Sequence, residues 1–301
     1  MSILTKSKLF PMLPEDVRGR VTESHRLSPS SRLKNRKQAG EFILERCFVS
    51  VFSGTELPSI QEAIDGRADL PGNGNRISTG PGIASIWLSD LPEAVPCLFG
   101  TFVKRRPTLV ARKHWAALLA MEGEGFQGAR ENNRISPAAF RLADCIERDG
   151  PATGQALRDR LAGSACMDRR TFRRALLELE KLWLIVPGRT GRPGRNIHDT
   201  ASCVWELTKR WVPDDIEREA ASMTRRHAMR SLIVGAVDSA GAVDEQAVYR
   251  WFGWPRSMTG ALMNEALSAA ACYRVDGPNP VIISSTLAES GQARSGVLRP
   301  R

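Results

Sequence analysis

Eight cationic side chains fall within the 29 residues from Asp168 to Asn196, DRRTFRRALLELEKLWLIVPGRTGRPGRN. Four are arginines at the head of an apolar segment, Arg169, Arg170, Arg173 and Arg174. Three more, Arg189, Arg192 and Arg195, recur at every third position of the glycine-rich loop that follows. A guanidinium is always charged and presents a planar fork of donors, which suits phosphate oxygens and the O6/N7 edge of guanine. Cations at the start of a helix oppose its dipole by a few tenths of a kcal/mol each. An anion close by removes that penalty, so the chemistry indicated is recognition of a polyanion.

The spacing states how these groups must be held. Asp168 reads as a helix N-cap, with Met167 and Phe172 at the positions of a hydrophobic staple. On a wheel of about 100° per residue with Arg169 at zero, the four arginines centre near 70°. Phe172, Ala175, Leu176, Leu179 and Trp183 centre near 300°, roughly 130° away. One face thus docks into a core while another offers four guanidiniums in the first two turns. That is the pattern of a recognition helix, whose N-terminal residues approach the bases. The loop GRTGRPGRN reads as a wing that lies along the backbone or enters the minor groove. Its GRPGR also resembles an AT-hook core, with Thr190 where that core has arginine.

The whole chain agrees with a polyanionic partner. Its 301 residues carry 43 Lys+Arg against 33 Asp+Glu, a net charge of +10, and the pI is about 9.8. Lys104, Arg105 and Arg106 form a further basic turn in KRRP, and residues 1–40 hold nine Lys/Arg against three acids. The six cysteines and four histidines are scattered without a CxxC pair, and HExxH, GxxxxGK[ST] and GxSxG motifs are absent from the sequence. No metal and no cofactor is expected. The sequence shows neither a span of ~18 apolar residues nor a signal-type start, so the expectation is a cytoplasmic protein without a membrane partner.

The elements expected around these residues form an α+β protein, mainly α with small β-sheets. Residues 1–30 read as a basic, partly disordered arm. Residues 31–130 form an α+β unit: a helix over 32–47, a short strand at 48–52, a helix at 58–64, two strands flanking KRRP, a helix at 114–121, and a polar boundary over 122–133. Residues 134–214 give three helices and a hairpin, the order of a winged helix. The first of these helices starts at Ser136-Pro137 and stops at Gly150. Residues 215–287 repeat that order with a nearly uncharged third helix, which implies tandem winged helices. That third helix is expected to pack within the protein or on a partner chain, and the RWFGW aromatics to lie in a core. Residues 288–301 read as a flexible tail.

ELPSIQEAI, then IWLSDLPEAVPCLFGTFVKRRPTLVAR, then a winged helix closing on WELTKRWVPDDI and a second such unit, resembles the AlkZ/YcaQ-like DNA glycosylases over roughly residues 35–285. The resemblance implies tandem winged helices cradling DNA, and an activity that removes bulky alkylated purines and unhooks crosslinks. Active members place a water with a Gln-x-Gln or Gln-x-Asp motif, and no glutamine here has Gln or Asp two residues on. Gln61, Glu62 and Asp65 in IQEAID are the substitutes the sequence offers, and they are poor ones. Hydrolysis of an N-glycosidic bond needs a placed carboxylate or amide to activate water and stabilise the developing cation. The residues therefore support double-stranded DNA binding ahead of catalysis. The alternatives are an active glycosylase and a replication-initiator or transcription-regulator type of winged-helix protein.

Overall fold

The computed structural model describes residues 6–66, 87, 91–122, 125–165, 167–187 and 203–292. Within them the chain is α+β, with helices around three small antiparallel sheets. The loop bearing Arg189, Arg192 and Arg195 lies outside the described residues.

The N-terminal stretch departs from the expected arm. Helices α1 (Lys6–Leu9) and α2 (Glu15–Ser24) flank a 3-10 turn at Phe10–Met12. Leu9, Leu13, Val17 and Val21 pack against Ala242, Val281 and Ile283 near the other end of the chain. The four-residue spacing of those apolar positions is a helical stripe, and Pro11 and Pro14 interrupt it in the sequence. His25 is fully buried, and its Nε2–H donates to the carbonyls of Ser239 and Ala240 at 3.2 and 3.1 Å.

Helix α3 (Arg36–Arg46) starts at Asn35, whose side chain accepts from the Gln38 amide, and leads into β1 (Phe48–Ser50). Helix α4 (Ile60–Asp65) is capped by Ser59, and α5 (Leu91–Ala94) precedes β2 (Cys97–Val103) and β3 (Arg106–Ala111). The sheet order is β1-β3-β2. Lys104 and Arg105 turn the β2–β3 hairpin with φ of 52° and 55°, the two left-handed residues that a twist-matched tight turn requires. Helix α6 (Trp115–Glu122) follows. The expected boundary over 122–133 contains a helix, α7 (Gly125–Glu131), because Phe126 and Ala129 are buried with the next unit's core.

That next unit runs α8 (Pro137–Asp149), β4 (Ala152–Thr153), α9 (Gly154–Ala165), α10 (Arg169–Lys181), β5 (Ile185–Pro187) and β6 (Val204–Leu207). Ser136 and Pro137 start α8 as the sequence indicates. Two short helices, α11 (Thr208–Trp211) and α12 (Asp214–Ala221), connect to the last unit. It repeats the order as α13 (Arg225–Ala240), β7 (Ala242–Asp244), α14 (Glu245–Trp251), α15 (Arg256–Ser268), β8 (Cys272–Val275) and β9 (Val281–Ser284). The sheet orders β4-β6-β5 and β7-β9-β8 correspond strand for strand. The sequence showed the hairpins but not β4 and β7, which are two and three residues long and take their pairing from a distant strand. The chain then forms α16 (Ser285–Gln292), with Ala288 buried, which takes in the first five residues of the expected tail; residues 293–301 lie outside the described residues.

One core joins the first and last units. It runs from Phe48 and Trp115 through Leu232, Ile233 and Val237 to Trp251 and Leu262. Trp251 is buried, while Phe252 and Trp254 are half-buried and stack on each other at 4.6 Å. Helix α13 passes so close to His114 that a Cβ on Gly235 would lie 2.3 Å from the ring's Cε1. His114 also packs on Phe48 at 4.7 Å between ring centroids.

Candidate nucleic-acid interface

Helix α10 starts where the sequence places it. Asp168 is the N-cap, and its carboxylate accepts from the Thr171 amide at 2.6 Å. That backbone hydrogen bond and the Thr171 hydroxyl hold the Asp168 carboxyl below the usual carboxylate range. Met167 and Phe172 are both buried beside it, as a hydrophobic staple requires. Phe172, Ala175, Leu176 and Leu179 fill the unit's own core.

Arg169, Arg170, Arg173 and Arg174 are all exposed, and none forms an ion pair with another described residue. They converge on one shallow depression of about 450 Å³, lined by the four arginines and Leu177. The positive end of the helix dipole lies beneath the same cations. The depression can therefore take an anion without displacing an ion-pair partner among the described residues. Leu177 is a residue the sequence reading missed. At about 80° on the same wheel it sits in the middle of the arginine face, and it is 48% exposed.

The C-terminal half of α10 carries the anchors. The Glu178 carboxylate accepts from the amide and hydroxyl of Ser136 at 2.7 and 2.8 Å, which ties α10 to the start of α8. Glu180 is buried; desolvation pushes its carboxyl up, and hydrogen bonds from Thr101 partly offset the shift. Beyond the helix, Trp183 stacks on Phe102 of β2 with ring centroids 3.7 Å apart. The polarity is consistent: cations free at the head, carboxylates engaged near the foot.

The basic hairpin turn divides. Lys104 does not stand free for phosphate. Its ammonium pairs with the buried carboxylate of Glu56, and its amide donates to the Trp251 carbonyl at 2.7 Å. The other Glu56 oxygen accepts from Trp251 Nε1 at 3.1 Å. The lysine thus docks the hairpin on the last unit, whereas Arg105 and Arg106 are exposed.

The three water-activating candidates are not assembled for that work. Gln61 Oε1 accepts from the Ser53 amide at 3.4 Å. Glu62 is fully buried and paired at 2.5 Å with Lys6, whose ammonium also donates to the Leu57 carbonyl. Asp65 is exposed. A larger cavity of about 570 Å³, between α6, α7 and α12, is lined by Phe126, Trp183, Leu207 and Met223 among others, and by none of these three. Among the described residues no three His, Cys, Asp or Glu side chains converge as metal ligands would. No helix among them is long and apolar enough to cross a membrane.

The third helix of the last unit differs from its counterpart. In α15, Arg256 bonds Gln246 at 2.8 Å and lies 4.5 Å over the Tyr249 ring, and Glu265 holds Arg226. Its buried side, Thr259, Leu262, Met263 and Ala266, packs on α13 and α14.

No curated protein matches the chain in sequence. Among solved structures, the DNA glycosylase AlkZ of Streptomyces sahachiroi superposes with a TM-score of 0.52 at 10% identity, covering 95% of this chain and 72% of that one. The two share a fold. The model of the family described as AlkZ related matches residues 33–253, and the chain belongs to that family.

Proposed function

We propose that this chain is a duplex-DNA-binding protein built on tandem winged helices, with the unit around α10 as its reading head. The observation that carries the proposal is the set of four exposed arginines without ion-pair partners among the described residues, converging at the positive end of a helix whose opposite face is core. A solvated helix start has no need of such a cluster, and phosphates satisfy it. Arg189, Arg192 and Arg195, which lie outside the described residues and which the sequence marks as a wing, and Arg105 and Arg106 serve as further phosphate contacts. The last unit serves as scaffold, since its third helix offers no comparable cluster among the described residues.

The test is duplex binding by fluorescence anisotropy across a salt series, with wild type and R170A/R174A side by side. Each lost phosphate contact lowers the slope of log K against log salt by about 0.9, so the double variant loses about 2. Equal affinity and slope in both proteins would overturn the proposal.

Family membership supports a second reading, excision of an alkylated or crosslinked base. It requires a water-positioning group other than Glu62, which is buried and paired with Lys6. Release of free base from alkylated duplex, scored in the same tubes, would establish it. No release from alkylated or crosslinked DNA leaves a binding protein.

A further inference from the structure

Among the described residues the exposed large apolar side chains are Met12, Leu44 and Leu177, and Leu177 is the one set among the arginines of α10. Its neighbours Leu176 and Leu179 are buried, while Leu177 is 48% exposed and borders the depression that the four arginines enclose. It lies about 10° from the centre of the arginine face on the helical wheel. The floor of the site is thus apolar, and its rim is cationic. The aliphatic stems of Arg173 and Arg174, four and three residues before it, extend that floor.

The occupant must therefore be anionic at its edges and apolar at one interior point. Duplex DNA has this form where the major groove exposes the C5-methyl of thymine between two phosphate walls. A helix lying in the groove can hold phosphate with its arginines while Leu177 reaches the floor. We propose that Leu177 is a specificity-determining contact that seats on a thymine methyl and gives this arginine surface a preference for thymine at one position. This rests on the duplex-binding reading above.

The experiment uses the full chain and two pools of mixed-sequence DNA duplexes, identical except that uracil replaces thymine in one. Wild type is expected to bind the uracil pool about four-fold more weakly, the scale of one buried methyl. L177A is expected to bind the thymine pool about four-fold more weakly than wild type and to bind both pools equally. Its salt slope should match wild type, because no charge is removed. Helical content by circular dichroism should be unchanged, since the side chain supports no core. If R170A/R174A flattens the slope while wild type binds the two pools alike, the role of Leu177 is overturned and the duplex reading stands. If neither the arginine pair nor Leu177 alters binding, both fall. Loss in L177A of self-association, or of binding to vesicles of anionic phospholipid, with duplex binding unaltered, would make this face a protein or lipid contact and overturn the proposal.

Discussion

Phe102 and Trp183 stack with their ring centroids 3.7 Å apart and their planes 24° from parallel. One residue belongs to β2 of the first sheet, and the other ends the segment that carries the arginine helix. Trp183 holds this place with φ of 62°, a conformation that a bulky residue adopts only under tertiary constraint. The orientation of the arginine face relative to the rest of the protein is therefore set at this stack, together with the buried Glu180–Thr101 contact a few residues earlier.

Removing one ring should separate stability from charge. F102A is expected to cost about 3 kcal/mol, the usual scale for a buried phenylalanine, measured by urea unfolding. DNA affinity should fall as well, because the arginine helix loses its brace. The salt slope should stay at the wild-type value, because every cation remains. A slope reduced as far as in R170A/R174A would show that the stack does not act through orientation.

Lys104 should behave as a structural residue. K104M leaves the Glu56 carboxylate buried beside Trp251 without its cation, and breaking such a pair costs about 3–5 kcal/mol. K104M/E56Q should recover much of that loss, since the amide keeps an acceptor for Trp251 Nε1. Urea midpoints of the three proteins check this. In the folded range, the duplex-binding salt slope of K104M should equal that of wild type, whereas R105A should lower it.

Stability should fall as the solution becomes acidic. His25 is held neutral far below its ordinary range, first by burial and then by Lys6 and Arg46. Burial, with a smaller contribution from Lys113, brings His114 down to about 4. The unfolded chain takes up protons on these histidines near pH 6.5, whereas the folded chain does so only at lower pH. Between pH 6.5 and 4 the unfolded state thus binds more protons, and stability rises with pH across that window. Each histidine contributes a slope of about 1.4 kcal/mol per pH unit at full effect. The urea midpoint should drop from pH 7 to pH 5, and H114L should show a shallower pH dependence. An unchanged slope in H114L would mean that His114 titrates normally in the folded protein.

Sequence alone determined the parts whose signal is local. The Asp168 cap, the staple of Met167 and Phe172 and the wheel angles of the arginines depend on a few adjacent residues, so the helix, its register and its charged face were all legible. The repeated order of helices and hairpins was legible for the same reason, since each element carries its own periodicity. Tertiary structure decided everything set by distant partners. Residues 6–25 pack because Ala242 and Ile283 are there to receive them, and β4 and β7 exist because β6 and β9 pair with them. Lys104 and Arg105 are adjacent cations in the sequence, yet only the first finds a buried carboxylate, 48 residues earlier in the chain. Glu62 resembles a reactive carboxylate in IQEAID until Lys6, 56 residues away, closes it off. Charge and periodicity are properties of the chain itself, whereas burial and pairing depend on what the fold brings alongside.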